Sequence, residues 1–245
     1  MSSSTPLVLV HGWGGSRRSW DALVWDADTR VIAHDLPGHG ARTTHSPYGI
    51  WAAADDLIRQ LEGIAEPVVL VGHSLGGQVT TIVQSLRPDL VAAECVINPA
   101  YGHPDADRER MQLWFDRVQA APHHVIAQFV NASFGTHTPT ASRDRIHTDL
   151  AQTPEAVLTD YLRDEYFADD SIGFASLSLP LLARRSRPTL AFYSGERAAD
   201  FERSAGAADL VVWPGFGHYV HLEAPSAFVQ TLTGWLDRRH PGHKV

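Results

Sequence analysis

Short, mostly apolar blocks recur along this chain. They are followed by stretches in which apolar positions return every three or four residues. The blocks fall at 7–10, 30–33, 68–71, 93–97, 189–193 and 210–213. Most are too short and too uniformly apolar to have one wet face, so they predict buried strands of a parallel sheet. Helical spacing at 51–64, 77–86 and 225–239 predicts helices, the last opening on Pro225 and Ser226, as helices often do. Strands alternating with helices predict an α/β sheet covered on both faces.

One region breaks the alternation. Between 101 and 187 no strand is predicted, but 108–120, 123–134 and 154–167 are amphipathic at helical spacing. The expected organisation is a core made of 1–100 and 187–245, with 101–186 as a helical lid inserted over the sheet. The plainer alternative is a larger helical layer. The tail HPGHKV is expected to fray.

Composition narrows the function classes. The chain has 245 residues, 44% of them hydrophobic, which suits one domain with a sizeable core. Net charge is −8, with no block of Lys or Arg, so a nucleic-acid partner is not expected. No apolar run reaches eighteen residues, and MSSSTPLVLVHG lacks the basic and long apolar parts of a signal peptide. These readings predict a cytoplasmic protein that neither spans nor binds a membrane; the oligomeric state stays open. The single cysteine, Cys95, excludes an intramolecular disulfide and sits in an apolar CVI setting that suits a small core residue. The histidines show no H-E-x-x-H spacing and no C-x-x-C exists, so no metal or cofactor is predicted.

Three motifs carry chemistry. VGHSLGGQVT places Ser74 between Gly72 and Gly76, on a turn from a strand into a helix. That turn exposes the hydroxyl at the carboxyl end of the sheet and aims a helix N-terminus at it, as a nucleophile requires. Neither dinucleotide-fingerprint nor P-loop spacing is met. HGWGG, directly after the first strand, offers the Trp13 N–H to join that of Leu75 in holding an oxyanion. PGFGHYVHLEAP, after the last strand, carries His218, a base able to take the serine proton. Its place in the order Ser…acid…His fits, whereas His221 reads as a supporting residue. A histidine base predicts a pH limb near neutrality.

With these motifs in order, the chain resembles the α/β-hydrolase superfamily. LVLVHGWGG, RVIAHDLPGHGAR, VVLVGHSLGGQV and WPGFGHYVHLEAP all match its pattern, and HGWG with the short length is similar to small bacterial carboxylesterases acting on methyl esters. The resemblance implies an α/β-hydrolase fold with a helical lid, a Ser74 nucleophile, a His218 base and an oxyanion hole from Trp13 and Leu75. Two departures stand out. Only MSSSTP precedes the first strand, so about six strands are expected, as in the plant hydroxynitrile lyase group. The family's G-x-x-D reads SGERAAD here, with Ala198 at the Asp position, and the alternative acid position holds Asn98. The acid candidates are Asp200, placed first, then Glu196 and Glu202, with a Ser–His dyad assisted by Asn98 or water as runner-up.

The leading function is hydrolysis of a small-molecule ester or lactone through an acyl-enzyme. The aromatics Trp114, Phe115, Phe129, Phe134, Tyr161, Tyr166 and Phe167 predict a hydrophobic or aromatic substrate group. The altered acid motivates an alternative on the same fold, a lyase or cofactor-free dioxygenase with the histidine as base. A non-catalytic ligand-binding protein is the third possibility.

Overall fold

The structure, a computed structural model, describes residues 5–206 and 208–239. The tail whose fraying was expected therefore lies outside the described residues. Six strands form one sheet: β1 (Leu7–Val10), β2 (Val31–His34), β3 (Val68–His73), β4 (Val91–Ile97), β5 (Thr189–Tyr193) and β6 (Asp209–Val212). Every pairing is parallel, in the order β2-β1-β3-β4-β5-β6. This is the six-stranded α/β sheet that the sequence predicts.

Period-two alternation divides the strands between two cores. Val8, Val10, Val68 and Leu70 face one side, against α1 (Ile50–Leu61) and α2 (Leu75–Leu86). Leu7, Leu9, Val69, Val71, Cys95 and Phe192 face the other, against Phe228, Leu232, Trp235 and Leu236 of α10 (Pro225–Arg239). Both faces are dry, which is why the sequence shows continuous apolar runs instead of an apolar/polar alternation. Cys95 is fully buried, as its apolar neighbours predicted.

The strand bounds differ from the apolar runs where register decides. Leu7 pairs with Val31 and its N–H donates to the Arg30 carbonyl, so β2 starts at Val31. The third strand runs on through Gly72 and His73 because these pair with Val96 and Ile97.

Five helices separate β4 from β5: α3 (Arg108–Ala120), α4 (Pro122–Ser133), α5 (Thr140–Gln152), α6 (Glu155–Tyr166) and α7 (Ala175–Leu182). No strand lies among them; the His103–Phe174 bridge is isolated. The sequence pattern missed α5 because only Ile146, Asp149 and Leu150 of its thirteen residues are buried. Helix α6 joins the main core: Val157 and Tyr161 pack with α1 and α2, and the Tyr161 hydroxyl donates to the Pro37 carbonyl at 3.0 Å. After β5 come α8 (Glu196–Ala205), then, beyond β6, the short α9 (Val220–Glu223) and α10.

A buried ionic cluster ties β4, α7 and α8 together. Arg185, just past α7, lies against Glu94 at 3.4 Å and against Glu202, and all three side chains are fully buried. Tyr101 and Tyr193 donate to Glu202 at 2.9 and 2.8 Å, and Thr81 and Gln84 donate to Glu94 at 3.0 and 2.6 Å. Burial raises Glu94, with Arg185 opposing it. Removing Arg185 alone would leave buried carboxylates uncompensated.

Candidate active site

At the end of β3 the chain turns into α2 through Ser74, whose φ of 54° and ψ of −120° are unusual for a residue with a side chain. The flanking glycines explain how the turn closes. A Cβ at Gly72 would collide with the Gly76 carbonyl, and one at Gly76 would collide with the backbone carbonyls of Val10 and His11. Glycine is therefore required on both sides of the serine by close backbone approach. The Ser74 N–H donates to the Ile97 carbonyl at 2.9 Å, and its carbonyl accepts from Gly77 at 2.9 Å. The hydroxyl thus stands at the carboxyl end of the central strand, beside the N-terminus of α2.

Above it lies a cavity of about 750 Å³. Ser74, Leu75, Trp13, Asn98 and His218 line its base. Residues of α3, α4 and α6, among them Met111, Trp114, Phe129 and Tyr166, line its remaining walls. The structure thereby brings four of the five predicted site residues together: Ser74, His218, Trp13 and Leu75. Among the described residues, neither the Trp13 nor the Leu75 backbone N–H has an acceptor. Two unspent donors on the wall beside Ser74 suit a developing negative charge. Trp13 is fixed by its indole N–H, which donates to the Leu158 carbonyl at 3.0 Å, and by edge-on packing against Trp114.

His218 is held by its backbone. Its N–H donates to the Ser133 carbonyl at 2.8 Å. Its carbonyl accepts from Asn98 Nδ2 at 2.9 Å and lies 3.1 Å from His73 Nε2. Asn98 also accepts from the Ser194 N–H at 3.0 Å through Oδ1. A carbonyl on one side and an N–H on the other require one donor and one acceptor, which an amide has and an ionised carboxylate lacks. Asn98 has a φ of 40°, a region in which asparagine is enriched. The position of the alternative acid is therefore occupied by a bracket joining β4, β5 and the His218 loop.

Burial lowers His218 to about 4, and no neighbouring charge contributes to that shift. A desolvated imidazole with no carboxylate beside it resists protonation, which moves the expected limb below neutrality. His73 is also lowered by burial, with His221 and His218 adding to the effect. The His73 ring lies 4.8 Å from that of His218 and 4.7 Å from that of His221. His221 is buried between Trp20 and His73, and neither of its ring nitrogens has a partner among the described residues.

The acid expectation requires a second correction. Asp200 lies on the exposed side of α8, its side chain 70% accessible and ion-paired with Arg203 at 2.6 Å, and it does not line the cavity. The same arginine takes Glu196 at 2.6 Å. Glu202 points inward but is consumed by Arg185, Tyr101 and Tyr193. The cause is helical: α8 starts immediately after Gly195, so 196 and 200 share one face, the wet one, while Ala199 and Glu202 turn inward. Among the described residues, no carboxylate pairs with His218.

The cavity also contains a residue that the sequence did not single out. Glu165 of α6 is 4% exposed and is the cavity's sole carboxyl group among the described residues. Desolvation pushes it up to about 8, against the hydrogen bond from Tyr166, with Asp164 adding to the rise. Its neighbours in LRDEYF look like an ordinary amphipathic helix, and only a marked glutamate at an inward position signalled it. Among the described residues, no group of three or more His, Cys, Asp or Glu side chains is arranged to hold a metal ion. No helix among them is long and apolar enough to cross a membrane.

Comparisons with known proteins agree with this fold. The profile of the Alpha/beta hydrolase family matches residues 7–231. The pimeloyl-[acyl-carrier protein] methyl ester esterase of Neisseria meningitidis serogroup B is 33% identical over 167 residues, and the match spans 62% of each protein. The (E)-2-((N-methylformamido)methylene)succinate hydrolase of Acinetobacter baylyi is 26% identical, over 95% of this chain and 90% of that protein. Among solved structures, a thermophilic esterase from Thermogutta terrifontis superposes with a TM-score of 0.79 at 23% identity, covering 98% of this chain and 92% of that one.

Proposed function

This chain belongs to the alpha/beta hydrolase family, and from that premise we propose that it is a serine hydrolase cleaving an ester or lactone through an acyl-enzyme. The observation that carries the reading is Ser74, held at φ 54° on the strand–helix turn beneath the cavity that His218 shares. In the proposed reaction His218 takes the Ser74 proton as Oγ attacks the acyl carbon. The N–H groups of Trp13 and Leu75 hold the oxyanion, and the protonated histidine then returns the proton to the leaving alcohol. Water, activated by the same histidine, releases the acid. Among the described residues no carboxylate pairs with His218, so Asn98 and His73 position the imidazole through its backbone.

Helices α3 to α6 act as the lid, and their aromatic wall supports an acyl or alcohol part of hydrophobic character. The pimeloyl-[acyl-carrier protein] methyl ester esterase, by its name, cleaves a carboxylic ester, which supports the same bond class here. Fluorophosphonate labelling followed by peptide mass mapping tests the reading. Labelling at Ser74 with burst kinetics on p-nitrophenyl esters is expected, and unlabelled Ser74 with no burst would sink it. The missing carboxylate favours a second reading, lyase chemistry with His218 as base and no acyl-enzyme. Turnover that survives Ser74→Ala would select it.

A further inference from the structure

Resting on the hydrolase reading of the cavity, we propose that Glu165 is a specificity-determining residue, a neutral carboxylic acid that donates a hydrogen bond to an uncharged acceptor on the substrate. The substrate class is an ester whose acyl part carries a ketone, ether or second ester oxygen. Glu165 is nearly fully buried on α6 and lines the cavity that holds Ser74 and His218. Its backbone is immobilised: the Glu165 carbonyl accepts from the Gly173 N–H at 2.9 Å. A Cβ on Gly173 would collide with the Tyr166 ring, so the packing there leaves no slack. The backbone that carries this carboxyl is therefore fixed, as a specificity group requires.

Burial keeps it protonated, outweighing the hydrogen bond from Tyr166 that favours the anion. On its own helix it faces Tyr166, which bonds to it, and Asp164, whose charge disfavours a second anion. From the segment after β4 comes His103, whose ring lies 5.4 Å from that of Tyr166 and which burial lowers, so it stays neutral. From α3 the cavity receives Arg110 and Arg117, but both are solvent-exposed and Arg110 is paired with Asp107 at 2.7 Å. Among the described residues, no cation contributes to the shift at Glu165. A protonated carboxyl has one O–H donor to offer. Beside Met111, Trp114 and Leu162 of the same cavity, that O–H is a donor for a substrate oxygen, and a purely alkyl chain offers it no acceptor.

The test compares p-nitrophenyl levulinate with p-nitrophenyl pentanoate, which share a leaving group and differ by one ketone. For the wild type, kcat/KM is expected to favour the levulinate about tenfold near neutrality, the effect of one hydrogen bond. The preference should fall towards unity as pH rises through about 8, where Glu165 ionises and loses its donor. Glu165→Gln keeps an N–H donor, so it should keep the preference and lose its pH dependence, and Glu165→Leu should abolish the preference. A wild-type ratio that is near unity or flat with pH overturns the proposal, as does an unchanged ratio in Glu165→Leu. If the leucine variant does not fold, the pH profiles of wild type and the glutamine variant decide. The same two esters titrated calorimetrically into Ser74→Ala report the preference without turnover. Preferential binding with no cleavage by the wild type sinks the hydrolase reading alone; cleavage without preference sinks the Glu165 proposal alone.

Discussion

Two strand-to-helix turns on one edge of this sheet are built to opposite standards. At the β3–α2 turn, glycines 72 and 76 touch backbone from neighbouring elements, and Ser74 is held at a φ that costs energy. At the β5–α8 turn, a Cβ on Gly195 would meet nothing within 4 Å, and residues 196–198 beyond it face water. One turn is locked by its surroundings and the other is not. In a locked turn, chain position determines side-chain position, so a motif can be read literally. In an open turn the helix that follows decides which residues point inward, and here it turned Asp200 outward.

That contrast can be broken experimentally. The largest effect is expected at the locked turn itself. Ser74→Ala and His218→Ala should each lower kcat on an activated ester by at least ~10²-fold. Losing either member of an intact triad costs up to ~10⁶, and the bound is set lower here because no carboxylate pairs with His218 among the described residues. Stopped-flow and steady-state rates would measure it, and near-wild-type rates in either variant would remove the nucleophile–base assignment. Gly76→Ala comes next, with a destabilisation of ~3 kcal/mol or more from overpacking, whereas Gly195→Ala should stay within about 0.5 kcal/mol. Urea denaturation of the pair reads the difference between the turns directly.

Asn98→Asp sharpens the comparison between amide and acid. It replaces a donor by an anion beside the His218 carbonyl, so kcat is expected to drop by roughly tenfold, the cost of a lost and reversed hydrogen bond. A rise in kcat would instead show that a carboxylate there can partner the imidazole.

The pH dependence follows from the buried histidines. Burial lowers His11 and His218 to about 4, His39 and His221 to about 3, and His73 well below its ordinary value. Between those values and about 6.5 the unfolded chain binds more protons than the folded one. Stability from these groups is therefore complete above pH 6.5 and is lost as pH falls through the folded values. Each contributes a slope of up to ~1.4 kcal/mol per pH unit. Thermal denaturation should show the midpoint falling steeply between about pH 6 and 4, and the kcat limb should lie near 4. A limb at 6.5 would mean that solvent or a carboxylate reaches His218 after all. The smallest effect is expected at the open turn: Asp200→Asn should change kcat less than about twofold and stability by no more than a few tenths of a kcal/mol, since its ion pair is exposed.

The sequence by itself determined the sheet and the serine. Six apolar runs marked six strands because both faces of a parallel sheet are dry, and G-x-S-x-G marked the turn because backbone crowding at Gly72 and Gly76 admits no other residue. Those are local constraints, written in neighbouring positions. The sequence also located His218 but not what holds it. Tertiary structure alone decided that Asp200 faces water, that Glu202 serves Arg185, and that Asn98 brackets the His218 carbonyl. It alone placed Glu165 from α6 in the wall of the same cavity. Each of those outcomes depends on the rotation of a helix or on a partner 17 to 120 residues away. No local pattern encodes such a contact, because it exists only once separate elements have packed.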